Sequence, residues 1–224
     1  MIILAVILLY FQKLNPFAPS KSGEEKMQTW SLWFKVIVAV IPSAVIGLLL
    51  DDWLDEHLYN YIVVALTLVA YGVAFLLVER KNKDLKPKIG SVFAIDMRTA
   101  LLIGCFQCLS LIPGTSRSGA TILGAIFLGV SRSAASEFSF FLAIPTMLGA
   151  SALKILKFML SGANAGMTEI SILLVGCVMA FLVSLAAING LMQYVKKNNF
   201  AIFGQYRIAL GILILVYFLI QLFV

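Results

Sequence analysis

The sequence predicts an all-α fold, a polytopic integral membrane helical bundle that contains one re-entrant helical hairpin. Hydrophobic residues make up 61% of the 224 residues, charged residues only 12%, and the mean hydropathy is +0.99. A soluble domain of this length needs far more polar surface than this composition supplies. Several apolar stretches also approach or exceed the length of about 20 residues that a helix needs to cross a bilayer. We therefore expect a single membrane domain over residues 1–224.

The predicted elements follow one another with short polar connections. Residues 1–11 are apolar but too short to cross a membrane, and residues 12–31 form a polar loop. An acidic loop at 51–57 and a basic loop at 79–98 separate later elements. The predicted membrane spans are residues 32–50, 61–78, 134–158, 170–195 and 203–224.

The basic residues predict how the chain is oriented in the membrane. The net charge is +6, and segments 12–35, 79–98 and 196–207 hold 13 of the 17 lysines and arginines. Positively charged loops stay in the cytoplasm, so these three segments are expected there and the acidic loop outside. Because the cations serve this purpose between apolar spans, we expect no nucleic-acid partner.

A proline–glycine turn joins two apolar segments that are each too short to span. Residues 99–112 and 120–130 flank Pro113 and Gly114, which end a helix that arrives from the N-terminal side. We expect a re-entrant hairpin over about 99–130, with its tip near mid-membrane. Two shortened spans are the alternative, because hydropathy alone does not separate the two arrangements.

The turn also places one fixed positive charge, Arg117, at membrane depth, where charged residues are costly and usually functional. Gly119 allows a ligand or another backbone to come close, and a helix N-terminus follows with free N–H groups. A guanidinium grips two phosphate oxygens and remains charged in apolar surroundings. The sequence therefore predicts a buried phosphate site. The hydroxyl-bearing neighbours of the arginine are Thr115, Ser116, Ser118 and Thr121.

Other polar residues leave alternatives open. Ser116 and Ser118 could bind phosphate or attack it beside a base, although serines in membrane helices also pack and cap. Glu137 could pair with Arg132 or Arg117, or have a structural role, and Ser133 could cap the helix that follows it.

The histidine and the cysteines are expected to have no catalytic role. His57 is the only histidine and lies in the acidic loop, which favours a surface position. The cysteines lie in apolar surroundings without a thioredoxin-like pattern, so we interpret them as helix-packing residues. They are Cys105, Cys108 and Cys177.

Three blocks, residues 103–109, 113–122 and 129–140, strongly resemble the bacterial undecaprenyl-diphosphate phosphatase family of the bacitracin-resistance type. The resemblance implies a membrane enzyme that converts undecaprenyl diphosphate to undecaprenyl phosphate and inorganic phosphate. This reaction recycles the lipid carrier of cell-wall synthesis and confers bacitracin resistance. The resemblance also implies two hairpins in an inverted repeat, of which this chain would hold one, and a homodimer in the bacterial plasma membrane.

The resemblance assigns roles to residues of the turn. Arg117 matches the essential arginine, and Ser116 and Ser118 are expected to be catalytic beside it. The remaining positions are expected to contact the substrate. They are Gly114, Thr115, Gly119 and Thr121.

One block of the family has no counterpart in this sequence. It is an N-terminal hairpin with two glutamates, a serine pair and a histidine, and the sequence is expected to start within the span that follows it. The family implies a divalent cation, Mg²⁺ or Ca²⁺, whose ligands this chain would then lack. A truncated record is the favoured explanation, and an inactive remnant is the other. A lipid-phosphate transporter is the alternative function, because a broken helix with a mid-membrane arginine also suits transport.

Overall fold

A computed structural model describes residues 2–82, 86–161 and 166–223, and every named element within these ranges is helical. The only extended pairing in them is an isolated parallel bridge between Ile89 and Val130. The all-α prediction is therefore confirmed. Short 3₁₀ turns cover Val92–Ala94 and Leu109–Leu111. The α-helices of the described ranges are α1 Ile2–Leu9, α2 Phe11–Leu14, α3 Gly23–Leu58, α4 Tyr61–Lys81, α5 Met97–Cys108, α6 Arg117–Phe127, α7 Arg132–Leu160, α8 Met167–Lys197 and α9 Ala201–Phe223.

Five of these helices are long and apolar enough to cross a membrane, which confirms the polytopic bundle. They correspond one to one with the predicted spans. The large apolar side chains on their outer faces are exposed, as expected for helices that contact lipid. The qualifying stretches are Gly23–Leu50, Tyr61–Lys81, Arg132–Leu160, Met167–Lys197 and Ala201–Gln221.

Helix α3 is longer than predicted at both ends. Ser22 and Glu25 form a capping box, so the helix begins inside the expected polar loop. At the other end it continues through the acidic segment, and the prediction of a loop at 51–57 is wrong. His57 lies in the last turn, exposed and stacked on Trp53 with ring centroids 4.8 Å apart. A histidine at this helix end complements the helix dipole when it is protonated.

Short polar side chains set the starts of the helices around the hairpin. Asn60, Asp96, Ser116 and Ser131 cap α4, α5, α6 and α7, respectively. Ser131 and not Ser133 therefore caps α7, because its hydroxyl accepts a hydrogen bond from the Ala134 N–H at 3.3 Å. Hydrogen bonds from Thr99 lower the pKa of Asp96, which keeps that cap ionised.

The two ends of the hairpin formed by α5 and α6 are tied together at its base. The N–H groups of Lys88 and Ile89 donate to the Gly129 carbonyl at 2.9 and 3.1 Å. The Ser131 N–H donates to the Ile89 carbonyl at 2.8 Å. The chain therefore enters and leaves the hairpin at the same level, as a re-entrant segment requires.

Helix α6 lies in the interior of the bundle although it has only 11 residues. Every residue from 119 to 126 is buried. Gly124 gives room to the Phe106 ring of α5, since a Cβ at that position would overlap it. This short helix is thus covered by protein, which is the condition under which a segment too short to span survives at membrane depth.

Ion pairs at one end of the bundle differ from those expected. Glu79 is buried and pairs with Arg132, and it also accepts a hydrogen bond from the Phe200 N–H at 2.9 Å. This carboxylate thereby joins the ends of α4, α7 and α9. Glu137 pairs with Lys13 at 2.8 Å. Of the alternatives for Glu137, a pair with Arg132 or Arg117 is not formed, because each of the three side chains has a different partner.

We predict that Glu79→Gln lowers the free energy of unfolding by about 1–3 kcal/mol, because Arg132 loses its carboxylate partner. Thermal unfolding of the purified protein in detergent measures the effect. Glu24→Gln, at an exposed position in the first turn of α3, is the matched control and should leave the melting temperature unchanged. Equal melting temperatures for the two variants would contradict a stabilising role for Glu79.

Candidate phosphate-binding site

The tip of the hairpin is fixed against α4. The Thr67 hydroxyl donates to the Pro113 carbonyl at 2.7 Å. Gly114 has a φ of +84°, a conformation that glycine adopts without strain. A Cβ at Gly114 would also overlap the Thr67 side chain and the Val64 backbone. Both observations explain why glycine is needed here, and they give the tip a defined position beside α4.

Ser116 caps α6 at this tip. Its hydroxyl accepts a hydrogen bond from the Gly119 N–H at 3.2 Å and lies 3.2 Å from the hydroxyl of exposed Ser118. The first turn of a helix leaves N–H groups without a carbonyl partner in the helix, and its dipole favours an anion there. The two predicted serines therefore stand together at a helix end suited to phosphate.

Arg117 is the first residue of α6 and extends towards α7. Its Nη1 donates to the Thr146 hydroxyl at 2.5 Å. The same hydroxyl donates to carbonyl oxygens of its own helix, including that of Leu142 at 2.8 Å. Among the residues that the structure describes, Arg117 forms no ion pair. A guanidinium has five N–H donors, so the contact with Thr146 leaves others for an anion.

Thr121 lies on the buried face of α6, one turn after Arg117. Its hydroxyl is 2.7 Å from that of Ser139 on α7 and also bonds carbonyl oxygens of the preceding turn. In this arrangement it holds α6 against α7. Its role as a phosphate contact stays a prediction.

Sequence reasoning missed the α7 side of the site. Ser139 and Thr146 are seven residues apart, which places them on one face of α7. Ser139 contacts Thr121, and Thr146 contacts Arg117. This spacing of hydroxyls within an apolar span was the available signal.

Sequence reasoning also missed Arg207 as a residue of the site, because Arg207 falls both in the basic segment 196–207 and near the start of the predicted span 203–224. The structure places it inside α9, and its Nη2 atom lies 3.5 Å from where a Cβ of Gly119 would stand. Without Arg207, the three basic segments still hold most of the lysines and arginines, so the predicted orientation in the membrane does not change. Glycines at 204 and 211, three residues before and four after, were the signal for a tightly packed face.

Thr115 adds a buried hydroxyl to the site. The residue is only 8% exposed, and in the described part of the chain its Oγ1 has no hydrogen-bond partner. A buried hydroxyl without a partner is costly, so a ligand that bonds it would remove that cost.

The residues around the hairpin do not fit a divalent cation. Within the described ranges no group of three or more histidine, cysteine, aspartate or glutamate side chains could hold a metal ion. The side chains at the tip are guanidiniums and hydroxyls, whereas Mg²⁺ and Ca²⁺ prefer carboxylate and carbonyl oxygens. The three cysteines are free, and His57 lies at the exposed end of α3.

The helices and the hairpin define a class, the polytopic α-helical membrane proteins with a polar site inside the bundle. Within that class, a family model described as bacitracin resistance protein BacA matches residues 2–213. The chain therefore belongs to the bacitracin resistance protein BacA family, and it is a multi-pass bacterial membrane protein.

Related proteins from several bacteria carry the name undecaprenyl-diphosphatase. The chain is 55% identical over 217 residues to that of Enterococcus faecalis, which covers 97% of this chain and 79% of the relative. It is 55% identical over 216 residues to that of Limosilactobacillus fermentum, with 96% and 78% covered. For that of Streptococcus thermophilus the identity is 53% over 220 residues, with 98% and 76% covered.

We predict that Gly114→Ala destabilises the protein by about 1–3 kcal/mol, because it forces a strained backbone and a clash with α4. Thermal unfolding in detergent measures the loss. Gly149→Ala is the matched control, since a Cβ there meets nothing within 4 Å. If the two variants unfold at the same temperature, the tip is not fixed in the way described.

Proposed function

We propose that this protein dephosphorylates undecaprenyl diphosphate and releases undecaprenyl phosphate and inorganic phosphate at the tip of the α5–α6 hairpin. The relatives named above are undecaprenyl-diphosphatases, and they match nearly the whole chain. The observation that carries the proposed site is the position of Arg117. It is an arginine without a carboxylate partner in the described chain, at the N-terminus of a buried helix and between two serines.

The side chains at the tip suit a phosphoryl group. Arg117 offers N–H donors in a planar fork that matches two phosphate oxygens. Ser116 and Ser118 offer hydroxyls 3.2 Å apart, and the N-terminus of α6 adds its free N–H groups. The buried residues of α6 lower the local dielectric beside the tip, which strengthens these interactions.

The reaction forms a bond between the oxygen of water and the terminal phosphorus, and it breaks the bond from that phosphorus to the bridging oxygen. The bridging oxygen leaves on undecaprenyl phosphate, and the proton lost by water passes to the products or to a base. Negative charge grows on the phosphoryl and bridging oxygens, where Arg117 and the N–H groups stabilise it. Ser116 and Ser118 orient the phosphoryl group. Attack by one of these serines is the alternative. It would require a nearby base to activate the hydroxyl.

The divalent cation, Mg²⁺ or Ca²⁺, stays an expectation drawn from the resemblance. No ligand set for it exists among the described residues, so no step of the proposed reaction uses it. The prenyl chain would lie along the apolar faces of the spans, since these faces expose large apolar side chains. The homodimer is a further expectation drawn from the resemblance.

Phosphate release from undecaprenyl diphosphate by the purified chain, reconstituted in vesicles with Mg²⁺ or Ca²⁺, tests the proposed function. We expect stoichiometric inorganic phosphate and undecaprenyl phosphate. A lipid-phosphate transporter would move the diphosphate across the vesicle membrane and release no phosphate. An inactive remnant would do neither, and both results would contradict the proposal.

We predict that Arg117→Lys lowers the rate of phosphate release at least about 100-fold, because an ammonium cannot hold two phosphate oxygens in the same geometry. The measurement is the initial rate at saturating undecaprenyl diphosphate. Arg98→Lys, at an exposed position in the first turn of α5, is the matched control and should retain the wild-type rate. Full activity of Arg117→Lys would exclude the proposed role of Arg117.

A further inference from the structure

We propose that Arg207, with Thr115 and Tyr71, forms a second phosphate subsite beside the tip, and that this subsite distinguishes a diphosphate from a monophosphate. The inference rests on the proposed function, because it divides the headgroup of the same substrate between two subsites. Arg117 and the serines would hold one phosphoryl group, and Arg207 would hold the other.

Close helix packing places Arg207 in the interior of the bundle. Gly204 and Gly211 lie on the same face of α9, one turn before and one turn after the arginine. At both glycines a Cβ would come into close contact with α4, at the carbonyl oxygens of Gly72 and Ala65, respectively. The face of α9 that bears Arg207 is therefore pressed against α4 and cannot turn towards lipid or water.

The guanidinium of Arg207 has a buried N–H donor that lacks an acceptor among the described residues. Its Nη1 atom is fully buried and, within the described residues, has no hydrogen-bond partner. In the same part of the chain Arg207 takes part in no ion pair, whereas buried Glu79 is paired with Arg132. A buried charge without a partner is expensive, and an anion that binds there removes the cost.

The neighbours of Arg207 are polar groups that can bond a phosphoryl oxygen. Tyr71 on α4 is a polar neighbour of both Arg207 and Thr115. The Thr115 hydroxyl is itself buried and lacks a partner among the described residues. Two buried polar atoms on separate segments, neither with a hydrogen-bond partner among the described residues, share Tyr71 as a neighbour, and a phosphate would complete this polar cluster.

The cluster adjoins the proposed catalytic subsite. The Nη2 atom of Arg207 and the Ser116 hydroxyl lie 3.5 and 3.4 Å, respectively, from the point where a Cβ of Gly119 would stand. Glycine at position 119 thus leaves open the space between the cap of α6 and the guanidinium. Arg117 extends from the same helix end towards Thr146 on α7, so two guanidiniums flank one helix N-terminus from different helices.

This arrangement suits a diphosphate better than a monophosphate. A diphosphate presents oxygens on two linked phosphoryl groups and can satisfy both guanidiniums at once. The monophosphate product satisfies only one, which leaves the other buried and without an anion. Arg207 is therefore expected to favour the substrate over the product and to promote product release.

The test measures binding of two non-hydrolysable ligands to the purified full chain by calorimetry in detergent. They are the methylenediphosphonate analogue of farnesyl diphosphate and farnesyl phosphonate. For the wild-type protein we expect tighter binding of the diphosphonate. In Arg207→Gln its affinity should fall about 10- to 100-fold, as for the loss of charged hydrogen bonds, while the phosphonate affinity should stay nearly constant.

Arg80→Gln is the matched control, because Arg80 is exposed at the end of α4. It should retain the wild-type ratio of the two affinities. An unchanged ratio in Arg207→Gln, or an equal loss for both ligands, would overturn the subsite. If Arg207→Gln does not keep the wild-type melting temperature, Thr115→Val and Tyr71→Phe replace it. Each of these should lower the same ratio, and an unchanged ratio in both would overturn the proposal.

The experiment separates this inference from the proposed function. Because neither ligand is hydrolysed, the affinity ratio does not depend on turnover. Absence of phosphate release with a ratio that depends on Arg207 would contradict hydrolysis and leave the subsite in place. Phosphate release with a ratio independent of Arg207 would contradict the subsite alone.

Discussion

The structure depends on a positively charged helix end enclosed by apolar helices. Helix α6 begins at Arg117 inside the bundle, and its first turn carries both the helix dipole and a guanidinium. Neither charge has a carboxylate partner in the described part of the chain. Such an arrangement is costly unless protein shields the backbone and an anion joins the site. The surrounding architecture supplies the first condition, and the proposed substrate supplies the second.

Several separate contacts hold this helix end in place. Thr67 and the positive φ of Gly114 fix the tip against α4. Thr146 and Ser139 fix α6 against α7. Backbone hydrogen bonds between residues 88–89 and 129 close the base. Each contact comes from a different element, so the position of the phosphate site is a property of the whole bundle.

Most of the fold could be predicted from hydropathy and charge, because long apolar helices have few alternatives in a membrane. The ends of the helices could not be predicted in this way, since they depend on capping side chains that hydrogen-bond to backbone N–H groups. Ser22 and Ser131 start α3 and α7 at positions that hydropathy does not mark. The acidic residues at 51–57 predict a loop by hydropathy alone, although charged residues suit an exposed helix turn equally well.

The site was predictable where it is continuous in sequence and obscure where it is assembled from distant segments. The turn at 113–121 combines glycine, hydroxyls and arginine within nine positions, so its chemistry is apparent from the sequence. Thr146 and Arg207 join it only through the packing of α7 and α9. Arg207 lies in the predicted span 203–224, but only the contacts of the neighbouring glycines with α4 show that it faces the interior of the bundle.

An experimental structure with the methylenediphosphonate analogue of farnesyl diphosphate bound tests the central claim most directly. The account predicts that the diphosphonate lies at the N-terminus of α6, with its oxygens within hydrogen-bond distance of the Arg117 guanidinium and the Ser116 hydroxyl. A diphosphonate bound elsewhere, with Arg117 still held only by Thr146, would contradict it.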